Sequence, residues 1–153
     1  MVREVLPYSE GTFFVLPLQH GGFARGVVAR MAPQGAVLYG YFFGPKLQSL
    51  DHVSTDDLQP ETAVAQMIFG DLGLIKGEWG ILGPLPDWKR SDWPMPDLVR
   101  RDPIGRRAWR VRRSDRNPSI IESETPTPFE TNLPPNYSWG YGAVQAKLTK
   151  LLG

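Results

Sequence analysis

The chain has 153 residues, 41% of them apolar and 11% aromatic, with 17 basic against 16 acidic side chains and no cysteine. The missing cysteines exclude disulfides, thiolate zinc sites and cysteine nucleophiles, and the charge balance alone implies neither nucleic acid nor a membrane surface as a partner. This length fits one domain over residues 1–153, able to bury roughly two-thirds of the surface its unfolded form exposes.

The 16 glycines and 15 prolines are spread along the chain rather than packed into one tract. Breakers at that spacing favour short strands over long helices. Met1–Tyr8 has no long apolar run after its basic residue, so residues 1–10 are taken as a lead-in and not as a signal peptide. No stretch approaches the roughly 18 consecutive apolar residues of a membrane span. The expectation is a soluble cytoplasmic protein without a membrane contact.

Thr12–Leu18 is a β-branched and aromatic run opened by Gly11. Pro17 cannot donate to a ladder, so this strand lies at an edge or ends there. His20-Gly21-Gly22 turns into a second strand, Phe23–Arg30, giving a hairpin. After Pro33 and Gly35 comes Ala36–Phe43, apolar on both faces and so a central strand, with Gly40 marking a bulge or a close backbone approach. Gly44–Thr62 is polar and broken, with one helical turn capped by Ser54-Thr55-Asp56-Asp57. Ala63–Phe69 makes a fourth strand, and Glu78–Leu82, centred on Trp79, a fifth after the connection Gly70–Gly77. Gly83–Pro96 is irregular, and Leu98–Arg101 pairs with Ala108–Arg112 as a further hairpin across Asp102–Arg107. Asn117–Tyr137, rich in Pro, Ser and Thr, wraps the surface. Gly142–Leu152 is a helix with Val144, Leu148, Leu151 and Leu152 on one stripe and Lys147 and Lys150 toward its C-terminal end. The expected class is therefore mainly β: a strongly bent antiparallel sheet, or a small SH3-like barrel, with a C-terminal helix.

Catalytic chemistry is hard to place on this chain. The two histidines, His20 and His52, sit in a Gly-rich turn and a polar loop without ligand-spaced neighbours, whereas a nucleophilic triad or a zinc site needs converging partners. No Gly-rich phosphate loop is present. Asp51, Asp56 and Asp57 lack the alternate spacing and closing Glu of a calcium loop. No cofactor, metal or catalytic residue is implied, and the expectation is a binding protein rather than an enzyme.

Two constellations remain. The first is basic: Arg100, Arg101, Arg106, Arg107, Arg110, Arg112, Arg113 and Arg116 fall in one stretch with Asp102 and Asp115 the only acids between them. Arginine's planar fork suits bidentate contact with carboxylate or phosphate. On a hairpin strand Arg110 and Arg112 project to the same face. These side chains either dock an acidic surface or nucleic acid, or pair with the chain's own carboxylates. The second is a run of Trp and Pro: Trp79, Pro84, Pro86, Trp88, Trp93, Pro94 and Pro96. Such a loop either anchors an interface, since Trp is enriched at hot spots, or is pinned by its own rings. The partner-binding candidates are Arg106, Arg107, Arg110, Arg112 and Arg113, with Trp88 and Trp93. A nucleic-acid-binding barrel would use the same arginines on phosphates and stack bases on Trp88 or Trp93.

Glu10-Gly11-Thr12-Phe13-Phe14-Val15-Leu16-Pro17-Leu18, followed by Gly22-Phe23-Ala24-Arg25-Gly26-Val27-Val28, resembles the opening of the immunity protein 26 family. Leu38–Phe43 is similar to that family's third strand, Leu74–Pro86, with Gly77-Glu78-Trp79-Gly80-Ile81-Leu82-Gly83 inside it, to its Gly-x-Trp block, and Asp92-Trp93-Pro94-Met95-Pro96 to the proline-flanked segment after it. The resemblance covers roughly residues 10–115 and rests on the order of short motifs. It implies a mostly β bacterial protein encoded in polymorphic toxin loci, an antidote that binds a cognate toxin domain and blocks it. It carries over no catalytic residue and does not say where the toxin sits. Were the arginines the interface, the blocked surface would be acidic, unlike the basic cleft of a nuclease.

Overall fold

The computed structural model describes residues 5–153. Residues 1–4, the first part of the expected lead-in and of the stretch read as lacking a signal peptide, lie outside the described residues.

Three antiparallel strands open the fold: β1 (Thr12–Pro17), β2 (Phe23–Met31) and β3 (Val37–Leu47). Gly11 enters β1 with φ +89, and the face that a side chain there would need is filled by the Trp88 ring. β4 (Ala65–Gly70) pairs with β3, and β5 (Gly80–Pro84) pairs with the outer edge of β1. A two-residue strand, β9 (Ser138–Trp139), joins β4 in parallel and completes a six-stranded sheet of order β5-β1-β2-β3-β4-β9. Pro17 closes β1 and pairs with Phe23, which agrees with its missing donor.

β3 is buried on both faces because its side chains alternate between two apolar layers. Leu38 and Phe42 join Phe14, Leu16, Phe69 and Trp79 beneath helix α2 (Tyr141–Leu152), which contributes Val144 and Leu148. Tyr39, Tyr41 and Phe43 join Phe13, Val27, Ile68 and Trp93 on the opposite side. Covering that second layer is a three-stranded sheet of β6 (Leu98–Asp102), β7 (Arg107–Ser114) and β8 (Asn117–Thr127), through Leu98 and Val111. The order of layers is helix, large sheet, small sheet. At Gly40 the close approach is to a ring, since a Cβ there would meet Phe69 at 2.6 Å, and the bulge lies on the facing strand, where β2 shifts register between Val28 and Arg30.

Several expectations are corrected. The sheets do not close, so the barrel alternative is not realised and the architecture is two sheets plus a helix. Residues 117–127 are not a surface wrap but strand β8; only the segment after it, through Pro134 and Asn136, crosses the fold as a strap that bonds Val99. Ser54–Asp57 leads into a single hydrogen-bonded turn and no helix: the Leu58 N–H donates to the Thr55 carbonyl and the Asp56 N–H to the Ser54 hydroxyl, and a 3-10 helix follows over Pro60–Thr62. A four-residue helix, α1 (Leu72–Ile75), interrupts the Gly70–Gly77 connection, and Trp79 lies just before β5, stacked on Phe14 at 5.5 Å. Leu151 leaves the buried stripe of α2 and is exposed.

Candidate protein-docking surface

The β6–β7 hairpin forms as the sequence indicates, with Leu98 opposite Val111 and Asp102 opposite Arg107. Its tip, Pro103–Arg106, turns with Arg106 at φ 50. Leu98 and Val111 anchor one end in the core, and alternation carries the arginines outward as the strands run past it.

Each arginine of the hairpin finds a partner within the chain. Arg100 donates to Glu124 at 2.9 Å, and Arg106 to Glu130 at 2.7 Å. Arg107 lies 3.5 Å from Asp102. Arg110 and Arg112 share one carboxylate, Asp97, each at 3.2 Å, which places them on one face as expected. Hydrogen bonding to Asp97 holds the Arg112 guanidinium above its ordinary pKa. Arg101 donates to the carbonyls of Phe129 and Thr131. Arg113 is different in kind: it is half-buried, donates to Asn136 and to the Pro118 carbonyl, and burial pushes its pKa down. The sequence's two alternatives are thus not exclusive. The arginines pair internally, yet Arg106, Arg107, Arg110 and Arg112 remain 67%, 70%, 50% and 63% exposed. Exposed pairs of this kind are worth little and exchange readily for a better partner.

The two candidate tryptophans do not join the arginines. Trp93 is buried, edge-on to Tyr41 at 5.1 Å and Phe43 at 6.0 Å. Trp88 packs against Trp93 and over Gly11 and is half-buried. The Trp-Pro loop is therefore pinned by its own rings. The Tyr41 hydroxyl donates to the Pro94 carbonyl. Burial pushes the Tyr41 pKa up to about 12, with Arg30 opposing and Glu61 adding to the rise.

The aromatic on the arginine hairpin is Trp109, which the sequence reading passed over. Arg100 stacks on its ring at 4.1 Å and Arg107 approaches at 5.6 Å. Arg106 covers Phe129 in the same way at 4.7 Å. The alternation Arg100, Arg107, Trp109 across a paired hairpin is a signal that could have singled Trp109 out.

Two further arginines are structural. Arg25 is 3% exposed and donates to both carboxylate oxygens of Asp57 as well as to the Ser54 and Gly44 carbonyls. Arg30 donates to Asp115 and to the carbonyls of Ala29 and Trp93. Arg90 bridges the same Asp115 to Glu10. The residues of the opening motifs therefore serve the frame: Phe14 under Trp79, Gly26 against the Phe14 ring, Arg25 on Asp57.

A family model for immunity protein 26 matches residues 9–110, two-thirds of the chain. The chain belongs to the immunity protein 26 family. No curated protein and no solved structure matches it. In this member of the family the matched span runs from the turn before β1 into β7. β8, β9 and α2 lie beyond it.

Acidic side chains without an ion pair collect elsewhere. Among the described residues Asp56, Glu61, Asp87 and Asp92 have none, and they line an open groove of about 540 Å³ floored by Leu58, Leu85 and Trp93. No group of three or more His, Asp or Glu side chains is set to hold a metal among the described residues. No helix there is long and apolar enough to cross a membrane.

Proposed function

We propose that this protein is an immunity protein that binds a cognate toxin domain of a bacterial polymorphic toxin system in the cytoplasm and neutralises it by steric occlusion. Membership of the immunity protein 26 family over residues 9–110 carries this reading. The interface is the β6–β7 hairpin, with Arg110 and Arg112 on one face, Arg107 beside Trp109 on the other and Arg106 at the tip, these arginines steering an acidic surface of the toxin and Arg113 holding the strap behind them. Long-range attraction speeds encounter, and Trp109 between its arginines supplies an anchor that slows release. No bond is made or broken in this role, so no catalytic group is required.

The test is rescue of a sensitive bacterium expressing the toxin domain encoded beside this chain's gene. Wild-type protein restores growth, and the variant with Arg106, Arg107, Arg110 and Arg112 changed to Glu does not, while remaining folded. Rescue that survives this change but is lost on reversing Asp87 and Asp92 would move the interface to the acidic groove. Absence of rescue by soluble wild-type protein would overturn the pairing with that toxin.

A further inference from the structure

β8 is an edge strand without a cover. It spans 11 residues and pairs with β7 on one side, and among the described residues no strand lies on the other. Every residue from Ser119 to Pro126 is exposed, including Ile120 at 52% and Ile121 at 44%. A row of free backbone donors and acceptors is a template for another strand. Prolines at 118 and 126 bracket it, so between them no outward-facing amide, those not bonded to β7, is lost to a proline ring.

Charge and side-chain size select the occupant. Between residues 97 and 130 there are eight arginines against six carboxylates, and one of the six, Asp115, is held by Arg30 and Arg90. On β7, Arg110 and Arg112 share the single carboxylate of Asp97 and stand opposite Thr125 and Ser123 of β8. Those two β8 side chains are short. In the free chain both arginines lean the other way, to Asp97 beside β6; released from it, they are long enough to pass over these short side chains toward a strand laid on the open edge. A second copy of this chain is a poor occupant in the registers about the middle of this stretch. Two-fold antiparallel pairing of β8 with itself, centred on Glu122 or on Ser123, sets glutamate against glutamate, which is destabilising.

Resting on the immunity reading, we infer that the toxin adds an extended strand with acidic side chains to the open edge of β8, so that backbone hydrogen bonds supply the hold and Arg110 and Arg112 the selectivity. The family match ends within β7, so this edge lies in the part of the chain that the family's shared frame does not fix.

Hydrogen exchange of the full chain, free and mixed with the toxin domain encoded beside its gene, tests this. Outward-facing amides between Ser119 and Thr125 slow at least tenfold in the complex, and Arg110→Ser with Arg112→Ser weakens binding at least tenfold with unchanged thermal unfolding. A complex in which those amides exchange at the free rate overturns the inference and leaves the immunity reading standing. No complex at all in titration calorimetry overturns both for that toxin.

Discussion

Arg25 reaches out of β2 to grip Asp57 with two hydrogen bonds, 2.7 and 2.9 Å long, one partner 3% and the other 54% exposed. The asymmetry sets what each substitution costs. Without Arg25, Asp57 is solvated where it stands. Without Asp57, a buried guanidinium keeps only the Ser54 and Gly44 carbonyls, and its Nε already lacks a partner. Asp57→Ala is therefore expected to cost about 3–5 kcal/mol, and Arg25→Met only about 1–2 kcal/mol. Urea unfolding of the two variants checks the order; equal costs would mean the loop, not the charge, decides.

Asp57 and Asp115 also govern acid stability. The hydrogen bond from Arg25, against a smaller effect of burial, holds the Asp57 carboxyl below its ordinary range. For Asp115, burial raises the pKa, but the hydrogen bonds from Arg30 and Arg90 outweigh it and the net shift is downward. A carboxyl with a depressed folded pKa binds its proton first in the unfolded chain. Its contribution is complete above the unfolded value of about 3.9 and is lost as pH falls through the folded one. The urea midpoint should hold from neutrality to about pH 5 and drop steeply below about pH 4, less steeply in Asp115→Asn. A wild-type midpoint that is flat to pH 3 would overturn this.

What the sequence made legible follows from periodicity. β3 shows apolar residues on both faces, and that alone places it at the centre of the large sheet. The β6–β7 hairpin and α2 were readable for the same reason. β8 was not, because Asn117–Thr127 carries prolines, serines and glutamates and no alternation, as befits a strand that is exposed on both faces beyond Pro118. Its partner β7 dictates it. The site was legible as a set of arginines but not as a surface: nothing in the spacing tells that Asp97 serves two of them, that Arg113 turns inward, or that Trp93 belongs to the core while Trp109 meets the arginines.

Gly40 offers a direct check of how tightly the large sheet is packed. The Phe69 ring occupies the space a side chain would need, at 2.6 Å from the Cβ position, and Phe69 is itself fully buried against Phe14, Phe42 and Trp79. The ring has no empty volume to move into. Gly40→Val is expected to destabilise by about 1–3 kcal/mol through overpacking, read as a lower thermal midpoint. Companion substitution Phe69→Leu should recover part of the loss. A neutral Gly40→Val would show that the layer yields.

Two tryptophans separate stability from binding. Trp93 is 4% exposed and lies among Tyr41, Phe43 and Trp88; truncation leaves a cavity, and Trp93→Ala should cost about 3–5 kcal/mol. Trp109 is half-buried at the surface of the hairpin, with Arg100 on its ring. Its loss removes a stacking contact worth about 0.5–1 kcal/mol and little packing. Trp109→Ala should thus unfold near the wild-type midpoint yet weaken toxin binding at least tenfold, whereas Trp93→Ala should unfold early and bind normally in its folded fraction. Calorimetric titration at a temperature where both variants are folded distinguishes them. The reverse pattern, with Trp93 governing affinity and Trp109 governing stability, would place the interface on the loop from Trp88 to Trp93 and take it off the hairpin.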